Sequence, residues 1–177
     1  VLTFGMTSCD MDKMPYDAIP AEEALTTIVG FEEARAGIYS VYLGLTGGSY
    51  VLAPEVQADA FNAVADFSNK YGELHRWTFE STNSTVETIW ANCYAAIGRA
   101  NFFIDGVGKI DENPEIELTE IQKQQINVYE GEAYFTRAYC YFYLATLFCR
   151  DYDVATAATT PGLPLQVKYE PKLAATQ

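Results

Sequence analysis

Apolar residues recur at steps of three and four positions in three long stretches of the chain, which is the spacing of an amphipathic helix. The first stretch covers residues 22–45 and ends at a Thr-Gly-Gly run, residues 46–48. The second covers residues 84–107, and the third runs from Thr119 to about Tyr152. The apolar positions of the first stretch are Ile28, Phe31, Ala34, Ile38, Tyr42 and Leu45. The pattern predicts three helices, each with one buried face.

The second and third stretches begin with capping signals. Glu87 follows Ser84 by three residues, which is the spacing of a capping box. Thr119 can cap the third helix. The predicted buried face of the second helix is Ile89, Cys93, Ile97, Ala100 and Ile104, broadened by Trp90, Tyr94 and Phe103. That of the third is Ile126, Tyr129, Ala133, Ala138, Phe142, Ala145 and Phe148.

Residues 50–83, between the first two helices, are less regular and contain Pro54, Gly72 and irregularly spaced aromatic residues. A short helix over about residues 55–67, followed by a loop, fits this segment.

After Asp151 the chain turns polar and is expected to form a loop with a short extended segment. Small and large residues alternate along the two later helices, which allows close packing between them. We therefore predict an all-α fold with tetratricopeptide-like helical hairpins and irregular loops.

Composition narrows the possible partners. The formal net charge of −13 repels phosphate backbones, so a nucleic acid is not expected as a partner. No apolar stretch reaches the roughly 18 residues of a membrane-spanning helix, so the body of the protein is not expected to cross a membrane. The chain contains one histidine and four cysteines without a Cys-x-x-Cys pair, so neither a metal site nor a cofactor is expected.

The cysteines fall into two groups. Cys93, Cys140 and Cys149 lie in helical patterns, where a free cysteine packs as a small apolar residue. A Cys93–Cys140 disulfide is the alternative, and sequence spacing does not decide between the two. Cys9 differs because it follows an apolar run ending in small residues and precedes a polar tract. This arrangement resembles a lipoprotein cleavage site, with Cys9 as the acylated residue; an N-terminus with an incidental cysteine is the alternative.

The residue pattern favours binding over catalysis. There is no serine elbow, no phosphate-binding glycine loop and no histidine beside a recognisable nucleophile, so we do not expect an enzyme. Trp77 follows His75 and Arg76 in the irregular segment, and an aromatic ring among polar side chains suits a sugar. The alternative for Trp77 is a lid over the core. By itself, Asp59 fits a cap or a solvated residue equally well.

Four ordered motifs resemble the N-terminal part of the SusD/RagB family of Bacteroidetes outer-membrane lipoproteins. They are SCDMDKMP, GFEEARAGIYSVY, IWANCYAAIGRANFFID and GEAYFTRAYCYFYLATLFCRDY, the last followed by GLPL. The resemblance implies residues 1–8 as the tail of an export signal and 9–20 as a tether lipidated at Cys9. It implies residues 21–177 as an incomplete SusD-like helical region. The Phe-Cys-Arg run at 148–150 departs from the Phe-Gly pair that is frequent in the family.

The same resemblance implies a function in nutrient uptake at the cell surface. It implies a lipid-anchored glycan-binding protein of the outer membrane that delivers oligosaccharides to a SusC-like TonB-dependent transporter. Trp77 would stack on the sugar, with Asn83 and Asp59 as polar contacts. The residues that match family motif positions are interpreted as fold determinants: Trp90, Tyr94, Asn101, Glu132 and Arg137. Asn101 and Arg137 would satisfy buried backbone groups or pair with Glu132. The alternative function is a tetratricopeptide-like protein-interaction module without sugar binding.

Overall fold

The computed structural model describes residues 21–64 and 68–170, in which the regular elements are helices and no strand is present. The helices are α1 (Ala21–Ala24), α2 (Ile28–Leu45), α3 (Ser49–Gln57), α4 (Gly72–His75), α5 (Ser84–Val107) and α6 (Glu120–Phe148). This confirms the all-α prediction and the three long helices. Cys9, the predicted tail at residues 1–8 and the predicted tether at residues 9–20 lie outside the described residues.

Helix α2 ends where its sequence pattern indicates but begins later than predicted. The Thr27 side chain caps its first turn by accepting a hydrogen bond from the Gly30 amide, and the helix ends at Leu45, directly before the Thr-Gly-Gly run. Three residues of the predicted apolar face are buried: Phe31, Ile38 and Leu45. The residues before Thr27 are not continuous with α2, so the predicted start at residue 22 is wrong.

The short helix predicted at residues 55–67 is also wrong, because α3 begins at Ser49 and ends at Gln57. Pro54 lies inside this helix and has no N–H to donate to the Tyr50 carbonyl, one turn earlier. The Tyr143 hydroxyl of α6 donates to that carbonyl instead. A side chain from a distant helix therefore makes a proline tolerable here, which residues 49–57 alone do not reveal.

The cap of α5 differs from the predicted capping box. Asn83, one residue before Ser84, is the N-cap, and its side-chain oxygen accepts from the amides of Thr85 and Val86. Thr119 caps α6 as predicted, and its capping box is completed by Gln122. Asparagine and serine are comparable N-caps, so adjacent candidates are not separated by residue type.

The buried face of α6 follows the prediction in its first half and departs from it in the second. The predicted positions Ala138, Phe142 and Ala145 are exposed, and Phe148 is half-buried. The buried residues of α6 are Ile126, Tyr129, Ala133, Thr136, Cys140 and Leu144. The predicted step of five from Ala133 to Ala138 rotates the pattern off the face, whereas steps of three and four keep to it.

Helices α5 and α6 form an antiparallel hairpin, and α2 packs against both. Cys93 and Cys140 lie in one part of the core, and Ala100 and Ile126 lie in the other, so positions advance in opposite directions along the two helices. The two thiols are in contact and free, which confirms that they pack as core residues. The hydrogen bond with the Cys93 thiol and burial together raise the pKa of the Cys140 thiol, which keeps Cys140 protonated.

An ion pair joins α2 to α6. The Arg35 guanidinium donates from Nε to Glu132 Oε2 at 2.5 Å and from Nη2 to Oε1 at 2.9 Å. These bonds lower the pKa of the Glu132 carboxyl and raise that of Arg35. Among the alternatives for Glu132, a pair with Arg137 is therefore wrong, because α2 supplies the cation.

Side chains of α5 and α6 hold residues 164–169 against the hairpin. The amide of Asn101, which is fully buried, donates to the carbonyls of Gln166 at 2.9 Å and Lys168 at 3.3 Å. Its oxygen accepts from Arg137 Nη1 at 2.8 Å. Tyr94 donates to the Pro164 carbonyl at 2.9 Å. This confirms that Asn101 and Arg137 are fold determinants, and that Asn101 satisfies backbone groups that the irregular segment leaves without helical partners.

Candidate functional site

Trp77 terminates the short helix α4 in a conformation that favours glycine. Its backbone φ is +55°, in the left-handed region. Its amide donates to the Leu74 carbonyl at 3.1 Å, and the Thr78 amide donates to the Glu73 carbonyl at 3.0 Å. This pair of bonds is a Schellman motif, in which the residue at Trp77's position is usually glycine. A tryptophan here costs about 1–2 kcal/mol, so the strain marks a candidate functional position.

The indole of Trp77 is held at the surface. The side chain is 66% exposed, which contradicts the alternative of a lid over the core. Its ring N–H donates to the Gln57 carbonyl at 3.3 Å, and its ring lies 6.1 Å from that of Phe79, centroid to centroid. One face is thus available for an aromatic-sugar contact, while its edge is tied to α3.

Asn83, the second predicted contact, is engaged within the protein. Its oxygen caps α5, and its Nδ2 donates to Glu73 Oε2 at 2.9 Å. The side chain therefore links the start of α5 to α4. Both ends of the amide already have partners, so its contribution to a site is to hold Glu73 and the loop in place.

Asp59, the third predicted contact, follows α3 in a left-handed conformation with φ of +59°. Its side chain is 83% exposed, and one carboxylate oxygen lies 3.7 Å from His75 Nε2. Asp59, Trp77 and Asn83 thus all contact or adjoin α4. The structure gathers the three predicted residues around one helical turn, although it shows no contact among their side chains.

An apolar cleft of about 550 Å³ adjoins Trp77, and sequence reasoning did not find it. Gln57 and Phe79, the two contacts of the indole, both line it. Trp90 lies within it, with its ring 5.0 Å from Phe148 at an interplanar angle of 81°. The lining residues are Ala53, Gln57, Leu74, Phe79, Glu80, Ser81, Val86, Glu87, Ile89, Trp90, Leu147 and Phe148.

The cleft joins four parts of the chain, which is why no local pattern indicates it. It lies between α3, α4 with the loop after it, the first turns of α5 and the last turn of α6. The sequence pattern predicts Trp90 only as a residue that broadens the buried face of α5. The available signal was that Trp90 and Trp77 are the two tryptophans of the chain and flank one helix cap.

The chemistry around the cleft suits binding. Its walls are aliphatic and aromatic, with the amide of Gln57 and the oxygens of Glu80, Ser81 and Glu87 as polar groups. Pockets of 300–1,000 Å³ with such a balance are typical of small-molecule sites. Within residues 21–64 and 68–170, no three His, Cys, Asp or Glu side chains come together to hold a metal ion. No helix of this part of the chain has the length and apolar character to cross a membrane.

Comparison with known proteins gives the family of the chain. The sequence profile of the SusD-like family, described as "Starch-binding associating with outer membrane", matches residues 17–175. The chain belongs to the SusD-like family. It is similar to SusD-like protein P2 of Formosa agariphila, with 26% identity over 156 residues. That alignment covers 84% of the chain and 28% of the relative, so the chain spans less than a third of that SusD-like protein. No solved structure shows significant similarity to the chain.

Proposed function

We propose that this SusD-like chain is the N-terminal part of a glycan-binding lipoprotein of the outer membrane. The observation that carries the proposal is Trp77, a strained and exposed indole beside an aromatic-lined cleft in a member of this family. Sugar rings present weakly apolar faces that stack on aromatic rings, and their hydroxyl groups pair with polar rims. The cleft and Trp77 provide both kinds of surface.

The roles of the three predicted residues follow from their contacts. Trp77 stacks on a sugar ring. Asp59, whose side chain is exposed, accepts hydrogen bonds from sugar hydroxyls. Asn83 positions the loop by capping α5 and holding Glu73. The protein acts by binding, without catalysing a reaction on the glycan.

We further propose delivery of the glycan to a SusC-like TonB-dependent transporter from a lipid anchor at Cys9. The anchor places the protein at the cell surface, attached to the membrane through acyl chains. Labelling cells with a radioactive fatty acid tests the anchor: the full-length protein should incorporate label, and Cys9→Ala should not. Equal labelling of both would exclude Cys9 as the anchor.

Affinity electrophoresis tests the glycan-binding proposal. The purified protein without Cys9 is run in native gels containing laminarin, xylan, pullulan or polygalacturonate, beside Trp77→Ala. A matched control is Tyr39→Ala, an exposed aromatic on α2 that does not line the cleft. We expect retardation in at least one gel that Trp77→Ala loses and Tyr39→Ala keeps. Equal migration of all three proteins in every gel contradicts the proposal.

The exposed face of α6 favours the second candidate function, a protein-interaction module. Four large apolar residues recur there every seven positions and are 58–76% exposed: Ile121, Val128, Phe135 and Phe142. A seven-residue apolar repeat is the pattern that packs against another helix. This function predicts binding of an envelope protein that is insensitive to sugar and to Trp77→Ala but is lost in a Phe135→Ser, Phe142→Ser double variant.

A further inference from the structure

We propose that the cleft beside Trp77 selects glycans without anionic groups, an inference that rests on the proposed glycan-binding function. Two of the twelve lining residues are ionisable, and both are glutamates, Glu80 and Glu87. Both side chains are exposed at the rim. The rest of the lining is uncharged and mostly apolar. A ligand in the cleft therefore meets carboxylates and no cation among the lining residues.

The two carboxylates have no cationic partner within the described residues. The ion pairs there join Arg35 to Glu132 and Lys123 to Asp111, and the His75 ring lies 3.7 Å from Asp59. Neither Glu80 nor Glu87 takes part. Their charges are consequently uncompensated where they face the cleft.

The basic side chains of the irregular segment near the cleft have other partners. Arg76, next to Trp77, donates from Nη1 to Asn69 Oδ1 at 3.2 Å. The Lys70 ammonium lies 5.2 Å from the centroid of the Tyr71 ring. His75 faces Asp59. None of these basic side chains lines the cleft, so none is placed to receive a carboxylate or sulfate group of a ligand there.

The charge and the polarity of the cleft both favour uncharged glycans. Carboxylates accept hydrogen bonds from the hydroxyl groups of an uncharged sugar, and these bonds are stronger than those between neutral groups. The same carboxylates repel a uronate or sulfate, and the apolar wall beside them weakens solvent screening of that repulsion. The net charge of −13 adds a longer-range repulsion. Uncharged glycans gain both the stacking and the hydrogen bonds.

Paired polymers that differ in charge test the selectivity. The probes are laminarin with sulfated laminarin, and methyl-esterified homogalacturonan with the same polymer after de-esterification. Dissociation constants are measured by calorimetry at low salt for the parent protein and for a Glu80→Gln, Glu87→Gln double variant. The control is a Glu112→Gln, Glu115→Gln double variant, which removes two exposed carboxylates of the loop between α5 and α6. Its net charge equals that of the Glu80→Gln, Glu87→Gln variant.

We expect the parent to bind the uncharged member of a pair at least tenfold more tightly. The cleft variant should reduce that ratio several-fold, and the loop variant should leave it within twofold of the parent. A parent that binds the charged member equally or more tightly would overturn the selectivity while leaving the glycan-binding function in place. An unchanged ratio in the cleft variant would also overturn it. Absence of binding to all four polymers and to the other gel polysaccharides would overturn the proposed function and the selectivity together.

Discussion

Replacing Asn101 by alanine tests how residues 164–169 are held to the helical hairpin. Asn101 is fully buried, and its amide makes three hydrogen bonds: two to backbone carbonyls and one from the Arg137 guanidinium. A neutral hydrogen bond contributes about 1 kcal/mol and a charged one about 2 kcal/mol, so the three together amount to about 4 kcal/mol. The Gln166 carbonyl keeps a bond from Tyr141, which reduces the expected loss to about 3 kcal/mol.

The assay is urea unfolding followed by helical circular dichroism. A loss of about 3 kcal/mol is a large share of the 5–15 kcal/mol that stabilises a typical domain, so the Asn101→Ala midpoint should fall clearly below the parent's. Gln124→Ala removes an exposed amide from α6 and should stay within about 0.5 kcal/mol of the parent. If Asn101→Ala were also within that range, the assignment of Asn101 as the residue that holds the segment would be refuted.

Three further predictions concern stability. Gly30→Ala should destabilise the fold, because the added Cβ would lie 2.1 Å from a backbone carbonyl oxygen. Gly37→Ala has no contact shorter than 4.0 Å and should stabilise the fold by up to about 1 kcal/mol. Thermal unfolding should show shifts of opposite sign for the two variants, and shifts of the same sign would contradict this prediction. Trp77→Gly should be about 1 kcal/mol more stable than Trp77→Ala, since glycine relieves the left-handed strain that alanine keeps; equal urea midpoints would argue against strain. The lowered pKa of Glu132 stabilises the fold above the unfolded carboxyl pKa of about 4.3, and this contribution is lost as the pH falls through the lowered folded value. Glu132→Gln should therefore be less stable at pH 7 but lose less stability on acidification, and parallel stability curves from pH 7 to pH 2 would contradict this.

The long helices could be predicted because burial on one face imposes a helical period on the sequence. That signal weakens where a helix contacts the rest of the protein with several faces. On α6, Tyr139 and Tyr143 are half-buried outside the main stripe, while Phe142 is exposed. Because aromatic residues occur on every side of α6, the sequence pattern does not identify its buried face over the whole length. The steps of three and four that define this face are seen only in the structure.

The candidate site was predictable by residue type but less so by geometry. A tryptophan in an irregular segment is visible in the sequence, although its exposure is not, and the resemblance to SusD-like proteins indicated Asn83 and Asp59. The left-handed conformation of Trp77 is not visible in the sequence, because it follows from how α4 ends. The cleft depends on Trp90 and Phe148, which are 58 positions apart and meet through the packing of α5 on α6. Long-range packing of this kind leaves no local pattern.

Fluorescence of a single tryptophan tests the central claim most directly. Trp90→Phe keeps an aromatic ring in the cleft and leaves Trp77 as the remaining tryptophan of the chain. This protein is titrated with the polysaccharide that retards the parent in the gels, or with each of them in turn if none does. A saturable change in the emission of Trp77 at the concentrations that retard the parent is the predicted result. Unchanged emission during demonstrated glycan binding would contradict the account, because the sugar would then bind away from Trp77.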